Sequence, residues 1–233
     1  MDGERTRLAG ALGGLAVCAL AAAVTTLTNT LLPFFYEASG FDARMALIGD
    51  PFYAARQWVL LVHPGFTLML ALGVALALKD RAPGRAAAAL SFGFVEKMTE
   101  FLLGFTILVV VNGAWKAGYL AAAGGPEAAL LRGKIETFYE VIEGAYPLLW
   151  AMFCLSTALY CSALPRRGLE GWVVLTGALT IAITALMFAA GYLGQAWAQV
   201  VVDWTYSPAL TAHRLLVAMW LLGEARRLSR PSP

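Results

Sequence analysis

Long apolar runs alternate along this chain with short breaks that carry charge, glycine or proline. A helix that crosses a bilayer needs about 20 predominantly apolar residues. Six runs answer that description: Leu8 to Phe34, Trp58 to Leu78, Ala86 to Val111, Tyr146 to Leu164, Trp172 to Ala196, and the shorter Ala209 to Leu222. The breaks Asp80-Arg81-Ala82-Pro83-Gly84 and Pro165-Arg166-Arg167-Gly168 are tight turns, so the helices they join are adjacent and antiparallel. Two other breaks are long. Residues 35–57 contain Gly40, Gly49 and Pro51. Residues 116–145 contain Gly124-Gly125-Pro126, followed by Glu136, Glu140 and Glu143 at helical spacing. That spacing predicts a fourth helix that starts well outside its apolar run. The pattern predicts an all-α, polytopic membrane protein, a single six-transmembrane-helix bundle over residues 1–233.

Composition agrees with this reading. Of 233 residues, 60% are hydrophobic and 14% charged, where a soluble domain carries about 25% charged residues. That excludes a soluble globule, and disorder more firmly still. The net charge of +2 provides no basic footprint for nucleic acid, and the partner implied is the lipid bilayer. Position matters more than net charge. Ten Lys and Arg lie at the N-terminus, in the two tight turns and in the C-terminal tail, against five in the two long breaks. The positive-inside rule then places both termini in the cytoplasm of a bacterial inner (plasma) membrane, and six spans agree with that parity. The first run continues to Phe35 behind a flank of mixed charge, which reads as a retained span and not a signal peptide. Trp58, Trp115, Trp197, Trp204, Tyr119, Tyr146 and Tyr206 are expected to form an aromatic belt at the outer interface. Cys18, Cys154 and Cys161 lie in apolar runs without metal spacing and read as small buried hydrophobes.

The third run is interrupted by Glu96, Lys97 and Glu100. Counted from Ala86, these charges lie about 15–21 Å along the helix, near the bilayer centre. At about 100° per residue Glu96, Glu100 and Lys97 fall at about 0°, 40° and 100°, on one arc with Gly93 and Gly104 beside it. That arc faces the bundle, because each such charge costs about 2.5–3.5 kcal/mol at the bilayer centre. Two readings follow. One is an intramembrane site in which a carboxylate, Glu100 first, binds a proton, a cation or a small-molecule substrate. The other is a self-neutralising knot that fixes helix packing. No second charged partner for the trio is evident in the other runs. The hydroxyls and amide of Thr25, Thr26, Thr28, Asn29 and Thr30, and of Thr176, Thr180 and Thr184, either line a cavity with it or bond within and between helices.

His63 and His213 each lie about five residues inside the outer end of an apolar run, at matching depth of about 7 Å. Pro64-Gly65 is expected to kink or restart the second helix. Two imidazoles on different helices are the ligand set of a bis-His haem, with Arg214 to pair a propionate, and this makes a single-haem electron carrier the alternative function. A non-catalytic accessory subunit and a membrane enzyme acting on lipid are further alternatives. Catalytic signatures do not support an enzyme: HExxH, GxSxG and the P-loop pattern are missing, and the last run holds no lysine for a retinal Schiff base.

Several short motifs share an order along the chain: Arg5-Thr-Arg-Leu-Ala-Gly entering the first run, Phe92 to Glu96 in the third, and Leu164 to Gly168 ahead of a fifth run led by Trp172. This order resembles a family of six-helix bacterial integral membrane proteins of unknown function. In that family an Arg often sits three residues before the acidic residue. Here that position is Gly93, and Lys97 stands in its place. The resemblance implies a fold and no activity.

Overall fold

The computed structural model describes residues 2–122 and 124–230, which are helical and contain no strand. The helices are α1 (Asp2–Leu31), α2 (Phe41–Ala46), α3 (Pro51–Leu78), α4 (Pro83–Thr106), α5 (Ala117–Ala121), α6 (Gly125–Cys161), α7 (Gly168–Tyr192) and α8 (Ala196–Ser229). A π-helical stretch, Ile107–Lys116, carries α4 on into α5. The six long helices, α1, α3, α4, α6, α7 and α8, form a closed ring. Each packs on the next in chain order, and α8 returns to α1. They run alternately up and down, so both described ends of the chain and the tight turns share one end of the ring, here the terminal end. The longer connections share the other, the loop end.

Helix ends differ from the apolar runs because caps set them. Asp50 accepts hydrogen bonds from Phe52 N (2.8 Å) and Tyr53 N (2.9 Å), with Pro51 in the first turn, so α3 begins ahead of Trp58. Helix α6 starts at Gly125, well before Tyr146, as the Glu spacing predicts. The fifth run does not reach Ala196 as one helix. It breaks at residues 193–195 around Gly194, whose φ of 67° is open to glycine. Helix α8 then starts at Ala196, ahead of Ala209, and runs through Pro208.

Helix α3 continues through Pro64 without a restart. Pro64 has no N–H for Leu60 O, and α4 approaches that carbonyl at Gly104, where a Cβ would stand 3.5 Å from it. Pro147 likewise frees Glu143 O inside α6, and the Tyr192 hydroxyl from α7 donates to it.

The terminal half of the ring holds the apolar core, centred on Leu12, Val74, Leu78, Val173, Val217 and Leu221. At its rim Arg81 donates to Glu170 (2.5 Å) and Glu224 (3.0 Å), tying the α3–α4 turn to α7 and α8. A smaller core at the loop end gathers Met45, Val111 and Ile135 under Phe41, Trp115 and Phe138. There Lys116 Nζ donates to Tyr53 Oη (2.8 Å), and that hydroxyl donates to Asn112 (3.1 Å).

The outer surface of the ring exposes Val17, Val24, Phe94, Leu102, Leu175 and Met219, among other large apolar side chains. Among the described residues four helices are long and apolar enough to cross a membrane: Gly3–Phe35, Pro51–Leu78, Gly125–Cys161 and Gly168–Tyr192. They mark a membrane-embedded protein. The expected aromatic belt is only partly outward. Trp58, Trp197 and Trp204 are exposed. Trp115 instead packs edge-on against Phe138 in the loop-end core, Tyr206 lines the interior cavity, and Tyr146 lines it while staying 42% exposed.

Candidate functional site

Between the two cores lies a cavity of about 470 Å³ to which all six long helices contribute. Helix α4 supplies Glu96, Lys97 and Glu100, so the arc derived from helical spacing does face the ring interior. Gly93 and Gly104 make this placement work. A Cβ at 93 would lie 3.2 Å from Ser156 Oγ of α6, and Gly104 meets α3. Glycine at both positions lets the neighbouring helices approach α4 closely on either side of the charges.

Lys97 Nζ donates to Glu96 Oε1 (2.6 Å) and Glu100 Oε2 (2.9 Å). Both bonds stay within α4, so the trio partly neutralises itself on one helix and these ion pairs hold no helix to another. Glu96 and Lys97 are buried, while the Glu100 side chain retains 31% exposure toward the cavity. Of the three, Glu100 is the carboxylate that a solute in the cavity reaches.

The second charged partner that the apolar runs did not reveal is Arg214 of α8. It lines the same cavity and lies within electrostatic reach of Glu96 and Glu100. Its Nη1 donates to Thr26 Oγ1 and His63 Nε2 (3.1 Å), with Ala22 O at 3.4 Å. The sequence signal was present, since Arg214 is the one charged residue between Ala209 and Leu222. The rule that marks Glu96 as functional by default applies equally to it.

The same contacts decide both histidines. Arginine only donates, so His63 Nε2 accepts and its Nδ1 carries the proton. That N–H donates to Thr25 Oγ1 (2.7 Å), whose own proton goes to Ala21 O (2.8 Å). His213 repeats the pattern. Its Nε2 faces the Tyr160 hydroxyl and its Nδ1 lies 2.9 Å from Thr176 Oγ1, which donates to Trp172 O (2.9 Å). Both rings have both nitrogens engaged, and His63 is the neutral Nδ1–H tautomer.

The geometry gives the haem alternative no support. Iron takes a free ring nitrogen from each histidine, and here both nitrogens of each ring already have a partner. His63 lines the large cavity, whereas His213 lines an adjoining space of about 50 Å³ that shares Glu96, Lys97 and Arg214 with it.

Of the remaining expected residues, Asn29 lines the cavity and accepts from Arg56 Nε (3.1 Å). Thr180 does not line it. Fully buried in α7, it donates to Gly177 O (2.8 Å) and accepts from Thr184 (2.8 Å). The α7 threonine stripe is thus back-bonded to its own helix, with Thr176 also meeting His213 of α8 and Thr184 also meeting Cys154 of α6. In α1, Thr26 and Thr30 do reach the cavity, and Thr30 meets Ser207 of α8 at 2.5 Å. Helical spacing did not identify Tyr206, Ser207, Tyr146 or Trp150, which complete the wall.

Comparison with protein-family models, curated proteins and solved structures gave no match to this chain. The site is therefore read from its own chemistry.

Proposed function

We propose that this protein is a six-span protein of the bacterial inner membrane that moves a small molecule, a proton or a cation through the helix ring. The observation that carries this reading is the exposure of the charged trio to a cavity lined by all six long helices. Ionisable groups in a membrane interior are costly and mark ion or substrate paths. Helices α4 and α8 are the two spans added to the four apolar ones. Their interior charges, Glu96, Lys97, Glu100 and Arg214, point into the ring, and the ring leaves apolar side chains outside. The excess of Lys and Arg at the terminal end supports cytoplasmic termini.

Glu100 is the proton- or cation-binding carboxylate in this reading. The experiment is proton uptake into proteoliposomes with an entrapped pH-sensitive dye, comparing wild type with Glu100→Gln. The variant leaves the Lys97–Glu96 pair intact at 2.6 Å, so it should fold normally. We expect the protein-dependent rate to fall at least tenfold. Equal rates from equally stable proteins would refute the assignment.

A further inference from the structure

We infer that the cavity binds a small organic monoanion, its carboxylate held by Arg214 and its apolar body by the aromatic wall of α6. This inference rests on the transport reading and names its substrate class. Arg214 is 5% exposed, and among the described residues it makes no ion pair. Its protein hydrogen bonds all run through Nη1. Nε and Nη2 have no protein partner, yet Thr211 Oγ1 is the one fully buried side-chain polar atom among the described residues that lacks a partner. Those two guanidinium nitrogens therefore keep accessible surface, and Arg214 lines the large cavity and the small one beside it. A guanidinium edge presenting two parallel N–H groups is the geometry that takes a carboxylate bidentately.

Charge sets the valence of the ligand. Lys97 is already committed to two carboxylates, so the trio carries one net negative charge and Arg214 one positive. The empty cavity is therefore neutral, so a monoanion on Arg214 brings it to −1 and a dianion to −2 beside Glu96 and Glu100, which favours the lower valence. The rest of the ligand meets Leu103, Ile142, Leu149, Phe153, and the stacked pair Tyr146–Trp150, whose ring centroids are 5.9 Å apart. These surfaces suit an aliphatic or aromatic body, and the volume of about 470 Å³ falls within the range of about 300–1,000 Å³ typical of small-molecule sites.

The test is direct binding of radiolabelled phenylacetate to the detergent-purified protein, with competition by phenylacetamide, phenethylammonium and phenylalanine. The expected result is saturable binding, with the amide and the ammonium competing at least tenfold more weakly than unlabelled phenylacetate. Arg214→Gln should lose at least tenfold in affinity. Because Arg214 also ties α8 to α1 and α3, Leu103→Trp is the second variant: it fills the cavity without touching the guanidinium and should abolish binding. Equal competition by the amide, or unchanged affinity in a folded Arg214→Gln protein, would overturn the proposal. Tighter competition by phenylalanine would overturn it in favour of a zwitterion. Binding without flux would leave the anion site standing and remove transport. Glu100-dependent flux without phenylacetate binding would do the reverse.

Discussion

Removing the Lys97 ammonium while keeping its two carboxylates is the sharpest perturbation of the charged trio. In Lys97→Met the side-chain volume is nearly kept, but Glu96 loses the one cation that hydrogen-bonds it, 2.6 Å away. At an effective dielectric of about 20, unit charges at that separation attract by about 6 kcal/mol. Part of this is returned, because Lys97 no longer has to be desolvated. Breaking a buried pair from one side costs about 3–5 kcal/mol. Glu100 adds little, since its side chain is 31% exposed to the cavity and solvent there screens it. For a chain of this length each kcal/mol moves the melting temperature by about 2–4 °C, which predicts a fall of roughly 6–20 °C. The assay is thermal unfolding in detergent, followed by a thiol-reactive dye reporting the free cysteines Cys18, Cys154 and Cys161. The triple variant Glu96→Gln, Lys97→Met, Glu100→Gln should recover most of the loss, because the ion pairs join no two helices. An unchanged melting temperature in Lys97→Met, or a triple variant no more stable than the single one, would refute the reasoning.

Three other perturbations probe the frame around the site. Gly177→Ala places a Cβ 2.5 Å from Cys161 Sγ and 3.3 Å from His213 Cε1; overpacking of this kind costs about 1–3 kcal/mol, and Cys161→Ala in the same chain should relieve most of it, as read by melting temperature. Tyr192→Phe removes the donor to the carbonyl that Pro147 frees, a loss of about 1 kcal/mol. In a Pro147→Ala background, where residue 147 supplies its own N–H, the same change should cost close to nothing, which a double-mutant cycle measures. Lys116, beyond α4 in the loop-end core, has its pKa pushed down from 10.5 to about 8 by burial and by nearby Arg44. Between those values the unfolded chain binds the proton and the folded chain does not, so stability should rise as pH climbs from about 8 to 10.5 and level off above. Lys116→Met should flatten that slope in pH-dependent unfolding.

Much of this architecture is legible in the sequence, for a local reason. Helical periodicity relates residues on one helix to each other, so Glu96, Lys97, Glu100 and the flanking glycines could be placed on one inward arc without knowing what they face. Apolar runs located the helices, and the Glu136–Glu140–Glu143 spacing extended α6 outward. What periodicity lacks is the neighbour. Arg214 meets His63 across 151 positions of sequence, a juxtaposition created when α8 closes the ring against α1 and α3. The haem reading arose from equal depths counted along separate runs, which carry no information on the partners that packing brings to the ring nitrogens, here Thr25, Arg214, Tyr160 and Thr176. The helix boundaries show the same division. Hydropathy measures apolar density, while the starts of α3 and α8 depend on the Asp50 cap and the Gly194 turn. The inward turn of Tyr146 and Tyr206 likewise depends on a cavity that exists only once six helices surround it. The sequence by itself determined which segments are helical, which are apolar and which arc of α4 carries charge, since those follow from residue chemistry and a 3.6-residue repeat. Only the tertiary structure decided which charges share a cavity and which hydrogen-bonding groups are already taken, because those depend on contacts between residues far apart in the chain.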